Sequence, residues 1–217
     1  MLLTIAGVLN AAQLDKIRES LADARFVDGR LTAGRAAARV KNNEELEPDP
    51  RIHQRITRIA MSALGHNADF RNAALPHRMA DFIVARYQPG MTYGDHVDDP
   101  IMGNAGPRFR SDVSMTLFLN PPDSYDGGEL VIRSAFGDRL VKLAAGDAVV
   151  YPSSSVHQVA PVTRGERLVI LTWIQSYVRD AARRELLFEL NRAREHLLSK
   201  EPDADTTKHV DRSYANL

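Results

Sequence analysis

The apolar positions of this 217-residue chain change their period twice. Near the N-terminus, in "LNAAQLDKIRESLADARF", Leu14, Ile17 and Leu21 recur at helical spacing with charges between them. That pattern predicts an amphipathic helix opening from Asn10. "RIHQRITRIAMSALGHN" repeats it through Ile52, Ile56, Ile59 and Ala63 and stops near Gly65. The intervening "DGRLTAGRAAARVKNNEELEPDP" is rich in small and polar residues, ends on two prolines and reads as mostly irregular.

From about Phe82 the period shortens to two. "DFIVARY" and "SDVSMTLFLN" read as strands, and "GGELVIRSAFGDRLVKL" as two strands turning around Phe136 and Gly137. "GDAVVYP" is another, and "SSVHQVAPVTRGERLVILTWIQ" gives two more with a turn at Arg164-Gly165. Six to eight short strands with brief turns predict a β-sandwich or barrel rather than a parallel sheet with crossover helices. "RDAARRELLFELNRAREHLLSK" then returns to helical spacing, with Leu186, Leu187, Leu190, Ala193 and Leu197 on one stripe. That stripe is expected to dock on the β core, with part of it available for a homo-oligomer contact. The polar stretch after Lys200 is expected to be at most partly ordered. The fold expected is mostly β with flanking helices, divided into an N-terminal helical region over 1–80, a β domain over 81–177 and a C-terminal helical extension with its tail over 178–217.

Composition narrows the function. Lysine plus arginine and aspartate plus glutamate each total 28, so formal charge is zero and neither a nucleic-acid nor an anionic-membrane partner is expected. There is no cysteine, which removes thiolate zinc, iron–sulfur clusters and disulfides. Any metal must be held by His, Asp or Glu, a set that suits iron, manganese or catalytic zinc. The N-terminal apolar run is short and lacks a basic start, and no window approaches the roughly 20 apolar residues that span a bilayer. A cytoplasmic location is the expectation.

Candidate chemistry begins in "YQPGMTYGDHVDDP", where His96 precedes Asp98 by two positions. In a strand such residues share a face and can reach one cation. A solvated acidic loop gives the same triplet by chance. His157, in "YPSSSVHQVAPVTRGERLVILTW", lies on another strand-like run and can enter the same interior. Two imidazoles and a carboxylate would then occupy one face of an octahedron, the facial triad of non-haem Fe(II) oxygenases, although a three-ligand zinc hydrolase could use the same residues. Arg167 follows in register with Val169, Leu171 and Trp173 on an apolar face. There a guanidinium is costly unless it meets an anion such as a carboxylate. The bland alternative is a rim arginine paired with Glu166 or Asp147, its stem over Trp173.

The remaining candidates read more plainly. His53, His66, His77, His196 and His209 are expected on surfaces or helix faces. Asp95 and Asp99 flank the ligands as solvated turn residues or partners of an imidazole. Trp173 is a core or pocket-wall aromatic, Gly127-Gly128 answers a turn, and Arg108 and Arg110 sit before a strand near the expected pocket mouth.

The order and spacing of His96, Asp98, His157 and Arg167, with "RYQPG", "LFLNPP", "GGEL", "GDAVVYPSSSVH", "PVTRGER" and "QS", resemble the Fe(II)- and 2-oxoglutarate-dependent dioxygenases of the prolyl-hydroxylase type. The combination is most similar to the bacterial PKHD-type hydroxylases, the PiuC-like iron-uptake factors, over nearly the whole chain. The resemblance implies a double-stranded β-helix, or jelly roll, with iron ligands at His96, Asp98 and His157 and 2-oxoglutarate bound by Arg167. It implies a cosubstrate-assisting hydroxyl at Tyr87 and L-ascorbate as reductant. The partners implied are 2-oxoglutarate, dioxygen and a substrate of unknown identity, with a link to iron homeostasis. A non-catalytic cupin-like iron or 2-oxoglutarate sensor would use the same four residues.

Overall fold

The computed structural model describes residues 1–103 and 108–217. The chain opens with β1 (Leu3–Ile5) and α1 (Ala11–Leu21), then passes through β2 (Phe26–Asp28), β3 (Lys41–Asn42) and β4 (Glu44–Leu46) to α2 (Pro50–His66) and α3 (Ala68–Ala74). β5 (Pro76–Met79), β6 (Ile83–Tyr87) and β7 (Thr92–His96) follow, then β8 (Ile101–Met102) and β9 (Phe109–Arg110). Next come β10 (Val113–Phe118), β11 (Asp126–Gly127), β12 (Leu130–Ile132), β13 (Arg139–Val141), β14 (Ala148–Pro152), β15 (His157–Val159), β16 (Val162–Arg164) and β17 (Arg167–Ser176). α4 (Ala181–Lys200) and α5 (Asp205–Asn216) close the chain.

Both early helices start on residues suited to capping. The Asn10 side chain accepts from Gln13 N and the Gln13 side chain accepts from Asn10 N, each at 2.9 Å. Asp49 caps α2 by accepting from Arg51 N at 2.8 Å, and Pro50 supplies a pre-set φ in the first turn.

The strands assemble into two main antiparallel sheets. The larger has the order β1-β14-β10-β17-β6-β4-β2, with β5 also on β17; the smaller has the order β13-β12-β15-β7-β3. Strands consecutive in the chain alternate between them: β6, β10, β14 and β17 in one, β7, β12 and β15 in the other. That alternation is the double-stranded β-helix, and it forces the two sheets face to face.

Strand parity then sorts side chains. Val113, Met115 and Leu117 of β10, with Ala148 and Val150 of β14, face the helices and join Ile17, Ile56, Leu64 and Phe70 in one core. Phe118, Val149, Tyr151 and Val169 face the smaller sheet and meet Leu130, Ile132 and Val159 in a second core. Each fully buried aliphatic side chain contributes about 1.5–3 kcal/mol, so both faces of the larger sheet are strongly specified. No helix among the described residues is long and apolar enough to cross a membrane.

Three expectations are corrected. The segment read as irregular begins at the end of β2 and holds β3, β4 and two short 3-10 turns, all too brief to show a period in sequence. The polar tail forms α5, tied to α4 by Arg194 Nε donating to Asp211 at 2.6 Å and by Arg194 over the Tyr214 ring. The leucine stripe is not the buried face of α4: Arg184, Phe188 and Asn191 are, whereas Leu186 is 48 % exposed. The reason is polar. Arg184 donates to the carbonyls of Val178 and Arg179 at 2.7 Å and of Asp112 at 3.2 Å, which fixes the rotation of the helix as it leaves β17.

Phe188→Ala should therefore destabilise the protein by about 3–5 kcal/mol. Leu186→Ala should stay within about 0.5 kcal/mol of the parent. Urea unfolding midpoints measure both, and equal losses would restore the leucine stripe as the docking face.

Candidate metal centre and its pocket

β7 and β15 are neighbours in the smaller sheet, with His96 directly opposite His157. Their rings lie 4.2 Å apart between centroids. Between this pair and the Val159–Tyr93 pair, β7 carries one residue more than β15, a bulge. Residues three apart in a regular strand point to opposite faces; the bulge returns Tyr93 to the face of His96, where the rings stack at 3.6 Å.

Asp98 lies beyond the end of β7, so shared strand parity does not place it. Its position comes from β10: Ser114 Oγ donates to Asp98 Oδ2, and Ser114 and Ser153 hydroxyls lie 2.8 Å apart. Asp98 Oδ1 is 4.0 Å from His96 Nε2, and Oδ2 is 3.9 Å from His157 Nε2. One ligand atom from each of the three residues lies within 4.8 Å of the others. Adjacent ligand atoms around a cation with bonds of about 2.0–2.2 Å stand about 3 Å apart, so the carboxylate and the imidazoles would close in by about 1 Å to share one.

The imidazoles are set for ligation. His96 Nδ1 meets Gly94 O at 2.8 Å and His157 Nδ1 meets Ser155 O at 3.0 Å. A backbone carbonyl only accepts, so each Nδ1 carries the hydrogen and each Nε2 keeps a free lone pair. Burial, reinforced by His157, pushes His96 down to about 4, leaving it uncharged at neutral pH.

A cavity of about 260 Å³ opens from His96, Asp98 and His157 to Arg167. That volume exceeds what a few waters fill and suits a small organic acid. Arg167 is 1 % exposed, and Nε, Nη1 and Nη2 have no hydrogen-bond partner among the described residues. The guanidinium lies 5.0 Å from the Tyr87 ring centroid and 5.5 Å from that of Phe118. Neither residue considered as a bland partner takes it. Asp147 accepts from Gly7 N, and Glu166 lies 3.9 Å from Arg86. A buried cation with no anion or hydrogen-bond acceptor in reach among the described residues is expensive and calls for an anion. The donor set thus fits both groups, a cation at one end of the cavity and a carboxylate at the other.

Tyr87 sits opposite Arg167 on the adjoining strands β6 and β17. Burial pushes its hydroxyl up to about 12 against the opposing pull of Arg167, so it remains protonated and able to donate. Gly128 packs on the same arginine: with φ of +68°, a Cβ there would come 3.0 Å from Arg167 Cδ. Here the glycine answers crowding as well as a turn.

Other groups emerge only in three dimensions. Lys41 and Glu45, 8 % and 3 % exposed, form an ion pair on the cavity wall, bridged by the Thr32 hydroxyl. Trp173 lines the wall. Asp95 pairs with Arg133 and Arg110 with Asp112, away from the imidazoles. No spacing rule points to Ser114, because its partner is sixteen residues away on another element.

Comparison with known proteins shows the family. Residues 82–175 match the 2OG-Fe(II) oxygenase superfamily. The chain is 51 % identical to a PKHD-type hydroxylase of Thioalkalivibrio sulfidiphilus and 45 % identical to one of Synechococcus elongatus, covering 100 % of this chain and 97 % of each relative. The fold resembles a Pseudomonas putida prolyl-4-hydroxylase at TM-score 0.52 and 24 % identity, over 82 % of this chain and 93 % of that one. It also resembles a Paramecium Bursaria Chlorella virus-1 collagen prolyl hydroxylase solved with 2OG, at TM-score 0.55 and 20 % identity, over 81 % and 96 %. The chain belongs to the PKHD-type hydroxylases and is a 2-oxoglutarate-dependent dioxygenase.

Proposed function

We propose that His96, Asp98 and His157 hold the Fe(II) of this dioxygenase and that Arg167, assisted by the Tyr87 hydroxyl, anchors 2-oxoglutarate. The carrying observation is the buried Arg167 guanidinium without a hydrogen-bond partner among the described residues, across one cavity from the three ligands. Metal-dependent hydrolysis does not itself need a buried cation opposite the metal. Bound Fe(II) supplies the coupling of 2-oxoglutarate decarboxylation by dioxygen, which yields succinate and carbon dioxide, to hydroxylation of a substrate C–H bond.

The residues supply geometry and polarity. The two neutral imidazoles and the single carboxylate give a net charge of minus one, offsetting part of a divalent cation. The guanidinium fork receives the distal carboxylate through two parallel hydrogen bonds and fixes the cosubstrate lengthwise. Leu130, Val159 and Leu171 keep the cavity walls apolar and limit water. L-ascorbate is the reductant that restores ferrous iron, and the iron-uptake role follows the PiuC-like resemblance. Dependence on ferrous iron and 2-oxoglutarate, both maintained inside cells, supports a cytoplasmic site of action.

Succinate formed from 2-oxoglutarate under air, with Fe(II) and ascorbate, measures turnover. Arg167→Ala should lose about 3 kcal/mol of cosubstrate binding, on the order of a hundredfold in Kd, while leaving metal affinity intact. Arg167→Lys should be milder. Asp98→Ala should abolish succinate formation; decarboxylation at the parental rate would refute the ligand assignment. In metal-free protein, His96 at about 4 against an ordinary 6.5 means that the unfolded chain binds a proton the folded one excludes. Stability should be full above about pH 6.5 and decline toward pH 4, and His96→Asn should remove part of that decline in urea titrations.

A further inference from the structure

Asp98 is the one anionic member of the three-residue cluster, yet it stands outside the strands that position the two histidines. Among the described residues its carboxylate has a single hydrogen-bond partner, the Ser114 hydroxyl at 2.5 Å. Ser114 is 2 % exposed and Ser153 1 %, and their oxygens are 2.8 Å apart. Each hydroxyl has one hydrogen, and an ionised carboxylate only accepts. The hydrogen of Ser114 therefore goes to Asp98, and that of Ser153 goes to Ser114. Ser153 also opens the loop whose Ser155 carbonyl holds His157. One pair of buried hydroxyls thus links the carboxylate-bearing loop to the segment carrying the second imidazole.

Each imidazole is nearest a different oxygen of Asp98: Oδ1 is 4.0 Å from His96 Nε2, and Oδ2 is 3.9 Å from His157 Nε2. Distance alone does not decide which oxygen meets a cation, or whether both do. The hydroxyl breaks the tie: it takes one lone pair of Oδ2, and Oδ1, with no hydrogen-bond partner among the described residues, is left the better donor.

We propose that Ser114, backed by Ser153, is a positioning residue that holds Asp98 with Oδ1 alone presented to the metal, keeping the rest of the coordination sphere open to the cavity. This rests on His96, Asp98 and His157 being the ligands. An unrestrained carboxylate would have to give up rotamer freedom on binding and could close a further position by chelating through both oxygens.

Mn(II) titration of the full chain, followed by the loss of the free-ion EPR signal, tests the idea without turnover. Ser114→Ala should weaken Mn(II) binding about 10–100-fold, whereas Ser114→Thr, which keeps the hydroxyl, should stay within about threefold of the parent. Ser153→Ala should weaken it less, and the double alanine variant should match Ser114→Ala, because Ser153 acts only through Ser114. Thermal melting of the metal-free variants reports folding, and Ser153→Ala carries the test should Ser114→Ala fail to fold. Parental affinity in Ser114→Ala, or additive losses in the double variant, would overturn the proposal. Failure of the parent to bind Mn(II), or parental affinity in His96→Ala, would instead overturn the ligand assignment beneath it.

Discussion

The pairing of β7 with β15 is the constraint on which the rest depends. It sets two imidazoles opposite each other across neighbouring strands sixty-one residues apart in the chain, with His96 facing His157. Backbone hydrogen bonds, not the side chains themselves, hold that approach, so the site exists before any cation arrives. The bulge in β7 adds the Tyr93 ring beneath His96, and backbone carbonyls fix both Nδ1 hydrogens. Asp98 follows β7 but is held from the opposite sheet by Ser114 on β10, and the proposed cosubstrate anchor, Arg167, lies on β17 of that sheet.

Such an interior runs against ordinary packing. A folded core gains from apolar burial and loses from every polar group left without a partner. Here the cavity between the sheets contains a cation without a hydrogen-bond partner and a carboxylate held by one hydroxyl, both among the described residues, and an ion pair at Lys41 and Glu45. The compensating burial lies elsewhere, on the helix-facing side of the larger sheet, where Ile17, Ile56, Leu64 and Met115 meet. Stability and chemistry occupy the two faces of one sheet.

Much of this was legible in residue order, for identifiable reasons. Period-two runs such as "SDVSMTLFLN" reported strands because both faces of the larger sheet are buried and sharply distinguished. Arg167 announced itself as a cation in register with Val169 and Leu171, and the His96, Asp98 and His157 spacing carried the resemblance. What stayed hidden depended on contacts remote in sequence. Strands of two or three residues leave no period, so β3 and β4 passed as irregular. The rotation of α4 is set by Arg184 reaching three carbonyls, which no helical stripe reveals. The strand argument for Asp98 reached the right neighbourhood by the wrong route, since a serine on another element holds it. Asp95, read as a solvated turn residue or an imidazole partner, lies in β7 and pairs with Arg133.

The division of β10 and β17 into a helix-facing and a cavity-facing set has an evolutionary corollary. Along either strand, odd and even positions answer to different selective pressures, one to volume and the other to reaction chemistry. Substrate preference can drift through the cavity-facing positions without disturbing the helical layer. A single-residue insertion in β17 upstream of Val169 would exchange the two sets there and carry the guanidinium into a layer of aliphatic side chains. Length in these strands should accordingly be more rigidly kept than the identity of most residues within them.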